Sequence, residues 1–390
     1  MRYVNTRFIL GAALVAVALT AASATPASGR QASPPGEPAQ AQGGAGQHLT
    51  HVFVIMEENH GDDGTIGDPS MPFLNSLAAT YGTATKYYGV THTSEPNYIA
   101  ATSGSNWGVN NDNGWNSGST ENGVALSANQ YDHTNIVDEL EANHVRWAAY
   151  MDSMPSAGYL PDASPDGLYV SKHNPFILYK DVRLDAQRAA NIKPYTDMAA
   201  DLNSGQVPQY VWISPNLCND MHGGIYTTVA DHAETPCPYS DAIGDSNDQA
   251  LKVKADTFLK NAVDTIEHSK AWTGNSVIFV TADENDYDAD NPSNGDYLST
   301  AGCCDSPYLP AGDPEISLAW PGGVYGGGQV PMIVISRNGP RHVTDDTAYN
   351  HYSMLSTIEQ GLGLGQLGFT SDSAQVKPMW SLISNARTGH

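Results

Sequence analysis

HVFVIMEENH, residues 51–60, decides the fold. Residues 51–56 form a nearly continuous apolar run, without the polar–apolar alternation of a half-exposed strand. Such a run reads as a strand buried on both faces, as in a parallel sheet. It ends in Glu57, Glu58, Asn59 and His60. Further strands are predicted at 276–281 (SVIFVT), 207–213 (VPQYVWI), 330–336 (VPMIVIS) and 146–151, with another candidate at 84–90.

Helical patterns lie between these runs. Residues 72–81 place Phe73, Leu74, Leu77 and Ala78 on one face. Residues 134–144 open on Thr134 as a cap and carry Ile136, Val137 and Leu140. Residues 246–270 predict a long helix with Ser246 as N-cap, carrying Leu251, Val253, Phe258, Leu259, Val263 and Ile266. Asn350-His351 opens a last helix over 352–361. Short strands alternating with helices predict an α/β fold whose sheet is covered on both faces. Residues 106–127 and 288–328 are rich in Gly, Asn, Ser, Pro and Asp and read as loops. The polar clusters at 58–59, 94, 220–222 and 283–284 each come just after a strand. In open α/β sheets the ligand crevice lies outside the carboxyl ends of the strands, so clusters far apart in sequence can converge there.

The stretch VTHTSEPNYIAATSG, residues 90–104, supplies a reactive atom. Pro96 favours a helix start, which predicts Ser94 at a turn just ahead of a helix. Free backbone N–H groups there suit an anion such as phosphate. A serine so placed is a nucleophile if something lowers its pKa.

The chain has 18 Lys and Arg against 42 Asp and Glu, a formal net charge of −24. That excludes nucleic acid or an anionic membrane surface as a tight partner. It also leaves an anionic substrate short of positive charge, which bound metal cations would supply. Residues 1–24 read as a secretory signal: Arg2 and Arg7, an apolar run over 9–19, and an Ala22-Ser23-Ala24 cleavage pattern. Residues 25–48 read as a flexible leader and 49–390 as one domain, with no stable membrane anchor. Four cysteines suit an oxidising compartment. Cys218 and Cys237 flank a short loop and could pair. The adjacent Cys303 and Cys304 form a vicinal bridge or pair elsewhere.

Glu58, Asn59, Asp283 and Glu284 are oxygen-bearing side chains after two apolar strands, a pattern that suits a hard cation. Ser94 as a further ligand would lose its proton more easily. Taken alone, either pair also fits a solvated loop of an acidic chain. Asp220, His222 and His351 could hold a second metal, bind phosphate directly or protonate a leaving group. His173, in KHNPF at 172–176, and His92, two residues before Ser94, are further candidates. A single histidine is more often a structural hydrogen-bonder than a ligand. The acidic run 286–290 fits solvated surface or a calcium site.

Together, HVFVIMEENH, the Ser94-Glu95-Pro96-Asn97-Tyr98 stretch, KHNPF, SPNLCNDMHGG (214–224), VIFVTADEND (277–286) and HYSMLSTIEQGLGL (351–364) resemble the phosphoesterase family of the alkaline phosphatase superfamily. That family contains bacterial phospholipases C and acid phosphatases, and the resemblance is greatest to secreted acid phosphatases of mycobacterial type. It implies a three-layer α/β/α sandwich with a mostly parallel central sheet. It implies a metal-dependent hydrolase acting on small phosphate esters, phospholipid headgroups and phosphoinositides among them. Glu58, Asn59, Ser94, Asp283 and Glu284 match metal positions, with Asp220 a further candidate. Asp220, His173, His222 and His351 match phosphate-side or second-metal positions, and Asn97 matches a residue expected to touch a phosphate oxygen. The cation is one or more of calcium, magnesium, manganese or zinc. The resulting expectation is a secreted phosphomonoesterase with Ser94 as nucleophile. The alternatives are a phospholipase C or other phosphodiesterase on the same fold, and a non-catalytic protein that binds metal or phosphate.

Overall fold

The computed structural model describes residues 48–116, 120–121, 124–125, 129, 131–224, 237–240, 244–286, 298–313 and 320–384. The expected signal at 1–24, most of the leader and residues 287–290 lie outside them. Among the described residues no helix is long and apolar enough to cross a membrane.

Eight strands form one sheet. In chain order they are β1 (Val52–Glu57), β2 (Gly82–Ala84), β3 (Trp147–Met151), β4 (Ile192–Pro194), β5 (Tyr210–Ser214), β6 (Val277–Ala282), β7 (Met332–Ser336) and β8 (Val343–Asp345). Across the sheet the order is β8-β2-β7-β6-β1-β5-β3-β4. β7 is antiparallel to both its neighbours, and every other pairing is parallel. β1 lies in the interior of the sheet, with Val54 in register with Trp212 of β5 and Phe279 of β6.

The alternation of side chains along β1 builds the three layers. Val52, Val54 and Met56 face one layer, packing in a cluster with Tyr98, Ile99, Leu355 and Ile358. Phe53 and Ile55 face the other, with Leu74, Leu77, Phe258, Leu259 and Ile266. The helices involved are α1 (Pro72–Thr80), α2 (Ser94–Ser103), α3 (Ile136–Ala142), α4 (Ser246–Glu267) and α5 (His351–Leu362). With both faces covered, the strands have no solvent side to alternate with, which explains their continuous apolar runs.

Several expected boundaries move. Asn135, not Thr134, caps α3: its side chain accepts from Val137 N, and Asp138 completes a capping box. Asp245, not Ser246, caps α4, accepting from Asn247 N and Asp248 N; a carboxylate there also opposes the helix dipole. Val253 is 52% exposed and belongs to the outer face of α4. The expected strand at 84–90 is broken. β2 ends at Ala84, and Tyr87–Tyr88 pairs with Tyr349–Asn350. Gly89 then passes so close to the chain at Asp283 that a Cβ there would lie 2.8 Å from its carbonyl oxygen. The three-residue strands β2, β4 and β8 are too short to carry a period. Cys218 pairs with Cys237, and Cys303 with Cys304.

Ser94 is the first residue of α2, not a residue ahead of it, and Thr93 is the N-cap. Pro96 falls third in the helix. It is tolerated because the first-turn N–H groups have no intrahelical partner. All of α2 is buried. It ends at Gly104, left-handed at φ 73°, where an added Cβ would lie 2.1 Å from Leu367 O. Replacing Gly104 by Ala combines a left-handed strain of about 1–2 kcal/mol with overpacking of about 1–3 kcal/mol. Gly104→Ala is therefore expected to lower unfolding free energy by about 2–5 kcal/mol, read from urea titration; a loss below about 1 kcal/mol would contradict this packing.

Candidate active site

β1, β5 and β6 are adjacent and parallel, so their carboxyl ends open side by side, about 4.8 Å apart. Glu58 follows β1, Asp283 and Glu284 follow β6, and the 216–223 loop follows β5. Main-chain bonds lock these ends together: Glu58 N donates to Asp220 O (2.9 Å) and Asp283 N to Glu57 O (3.1 Å). The first residue of α2 points into this opening. Ser94 Oγ donates to Glu58 Oε1 at 2.5 Å and lies 3.1 Å from Glu284 Oε1. Asp283 Oδ1 accepts from the backbone N–H groups of Asn59 (3.0 Å) and Glu284 (2.7 Å). Asn59 adopts φ 52°, a conformation that asparagine tolerates and that turns the chain across Asp283.

On the other side of Glu58 stand two imidazoles. His173 Nε2 lies 3.6 Å from Glu58 Oε1, and its Nδ1 lies 3.3 Å from Asp220 Oδ2. Tyr98 stacks on the His173 ring at 5.4 Å. His222 Nδ1 donates to Gly223 O (2.7 Å), which leaves Nε2 as a lone pair, 3.5 Å from Glu58 Oε2. Glu58 thus belongs to two groups with metal-ligand spacing, Glu58-Asp283-Glu284 and Glu58-His173-Asp220.

Burial makes this arrangement costly without positive charge. It pushes Asp283 well above the usual carboxylate range, helped by Glu58 and Glu284. It does the same to Glu284, helped by Asp112 and Glu58, and it raises Asp220. Burial also pushes Glu58 up, but His222 and His173 outweigh it and hold Glu58 below the usual range. Burial lowers His173, yet Glu58 and Asp220 more than compensate, and its pKa rises to about 9. Burial keeps His222 low. The donor set fits a divalent cation. Glu58 Oε2 and Asp283 Oδ2 are buried oxygens with no hydrogen-bond partner among the described residues. Glu58, Asp283, Glu284 and Ser94 would hold the ion through oxygen alone, the chemistry of calcium, magnesium or manganese, whereas the imidazole side would suit zinc.

Other candidates stand just behind the site. Asn97 is 0% exposed, and its whole carboxamide is spent on the turn before Ser94. Oδ1 accepts from Val90 N and Thr91 N, and Nδ2 donates to Thr91 O and Thr93 O. His351 lies between Tyr87 OH (3.0 Å) and the main-chain oxygen of Asp283 (2.5 Å), and burial lowers its pKa to about 4. His92 contacts Glu284 Oε2 through Nδ1 and Ser299 O through Nε2 (2.7 Å). The sequence reading passed over Lys172 and Asp112. Lys172 Nζ pairs with Asp112 Oδ2 at 3.0 Å, and Asp112 Oδ1 accepts from Thr93 Oγ1 (2.6 Å) and Glu95 N (2.9 Å). KHNPF carries a signal for Lys172, but Asp112 sits in a polar loop with none.

The serine at the start of α2, aimed at carboxylates beyond the ends of parallel strands, lies where α/β folds hold their ligands. The chain matches the Phosphoesterase family over residues 68–235 and 242–365, and it belongs to that family. It is 26% identical over 302 residues to the phosphate-repressible acid phosphatase of Penicillium chrysogenum, covering 76% of this chain and 55% of that protein. The phosphatidylinositol-3-phosphatase of Mycobacterium tuberculosis is 24% identical over 332 residues, covering 85% and 83% respectively. The chain thus spans little more than half the length of the Penicillium relative. Among solved structures, the zinc complex of the C-terminal periplasmic domain of EcEptC from Escherichia coli is similar at a TM-score of 0.49 and 8% identity, covering 92% of each chain.

Asp283, Glu284 and His173 hold protons more tightly folded than unfolded. Their contribution to stability is therefore present at low pH and lost as pH rises through their folded values. His222 and His351, shifted down, act only below their ordinary range near 6.5. Between about pH 7 and pH 9, the chelated protein should thus unfold at progressively lower temperature. A divalent cation should raise the midpoint, and more so at the alkaline end. A midpoint that is flat or rising across this window in chelator, followed by scanning calorimetry, would contradict the charge balance described.

Proposed function

We propose that this chain is a secreted, divalent-metal-dependent phosphomonoesterase of the acid phosphatase type that forms a phosphoserine on Ser94. The observation that carries the reading is the Ser94 hydroxyl, buried at the start of α2 and hydrogen-bonded to Glu58 and Glu284. The names of the relatives support a phosphate ester as substrate, and that of the mycobacterial relative extends the class to phosphoinositide headgroups. Disulfides at Cys218–Cys237 and Cys303–Cys304 support an oxidising destination, in keeping with a signal at 1–24.

When bound, the cation supplies positive charge that lowers the pKa of Ser94 and offsets the charge on the phosphoryl oxygens. Glu58 Oε1 accepts the Ser94 proton along the existing hydrogen bond. Oγ bonds to phosphorus as the bond to the leaving oxygen breaks. His173, protonated at neutral pH, donates to that oxygen. His222 Nε2, a lone pair, accepts a proton from a water whose oxygen bonds to phosphorus; the P–Oγ bond breaks and Glu58 returns its proton to Ser94.

Ser94→Ala should leave the far-ultraviolet circular dichroism unchanged and reduce kcat on a nitrophenyl phosphate monoester by on the order of 10⁴ or more. Acid quenching of the wild type during turnover should trap phosphate on the peptide containing Ser94, detected by mass spectrometry. Near-normal turnover in Ser94→Ala would end this reading. A nitrophenyl phosphocholine diester tried in parallel reveals a phosphodiesterase if that is the preferred substrate.

A further inference from the structure

We infer that Lys172 is a specificity-determining residue that pairs with the second negative charge of a phosphate monoester and so favours monoesters over diesters. This rests on the reading of Ser94 as the atom that attacks phosphorus. A helix start ordinarily offers free N–H groups to phosphate. Here two of them are withdrawn: the N–H of Glu95 goes to Asp112, and Pro96 has none. A side-chain cation beside Ser94 can take over the role of those two N–H groups.

Lys172 is placed to supply it. Its neighbour His173 lies between Glu58 and Asp220. Its partner Asp112 holds Thr93 and Glu95, the residues on either side of Ser94. The Lys172 side chain is 20% exposed. Its charge also acts on Glu58 and Glu284, the carboxylates that bond Ser94. An ammonium has three donors; Asp112 occupies one and others remain for an anion. Above about pH 6 a monoester carries two charges, whereas a diester carries one, so a single additional cation separates the two classes.

The test compares Lys172→Met and Lys172→Arg with wild type as full-length, metal-loaded chains. The readouts are kcat/KM on a nitrophenyl phosphate monoester and a nitrophenyl phosphocholine diester, and calorimetric binding of inorganic phosphate and of diethyl phosphate. In Lys172→Met the monoester-to-diester ratio of kcat/KM should fall by about 10- to 100-fold, and inorganic phosphate should weaken by a similar factor relative to diethyl phosphate. Lys172→Arg, which keeps the charge, should recover most of both ratios. Equal losses for both substrates and both anions would mean that Lys172 only braces the fold, and would overturn the inference. If the wild type proves to be a diesterase, the monoesterase reading fails by itself, and the two anion affinities still decide the role of Lys172. Should Lys172→Met not fold, Lys172→Gln takes its place in the same comparison.

Discussion

The constraint on which this structure depends is the burial of like charges. Glu58, Asp220, Asp283 and Glu284 are each no more than 4% exposed, at the ends of strands that must pack tightly to form the core. Such a group is tolerated only if protons, imidazoles or a cation neutralise it. Glu58 shows the balance most clearly: it alone among the four is held ionised, because His222 and His173 face it and outweigh its burial. The other three are pushed toward their neutral forms. The metal-free cluster therefore carries less charge than its composition suggests. A cation bound there would displace protons from it.

Rigidity comes from residues that do not face the opening. His351 and Tyr87 hold the main chain at Asp283, His92 contacts Glu284, and Asn97 ties the turn ahead of Ser94 to its helix. Each links segments that are far apart or would otherwise be loose. Because α5 begins at His351 behind an Asn350 cap, a shift of that helix would be felt at Asp283. A layered α/β core resists such shifts, since its interior is close-packed and transmits strain.

Much of this was legible in the sequence. The strands at 51–56, 207–213, 276–281 and 330–336 announced themselves because burial on both faces demands unbroken apolar runs. Their polar ends marked Glu58, Asp220, His222, Asp283 and Glu284, and parallel topology brought them together. What was not legible depends on partners. Nothing local says that Asn97 spends its amide on residues 90–93, or that His351 bonds a carbonyl 68 positions away. The caps of α3 and α4 fell one residue from Thr134 and Ser246 because Asn135 and Asp245 compete for the same N–H groups. The strands β2, β4 and β8 take their conformation from neighbours, not from their own composition.

The polar loop after α2 is tied at its ends to the residues around Ser94. Glu95, the residue after Ser94, is wholly buried; it accepts from Gly114 N (2.8 Å), Asn129 Nδ2 (2.9 Å) and Tyr131 OH (3.0 Å). Asp112 of the same loop takes the Glu95 N–H and holds Lys172. The helix start, which would otherwise cradle an anion, is thus occupied by a carboxylate of the chain itself, and that carboxylate presents an ammonium in turn. An N–H group makes one short-range hydrogen bond, whereas a lysine can also follow the charge of what it meets. In a chain so rich in acid, a lysine held by Asp112 puts a positive charge beside Ser94. The loop thus sets the charge beside Ser94, while the parallel strands fix where Glu58, Asp283 and Glu284 stand.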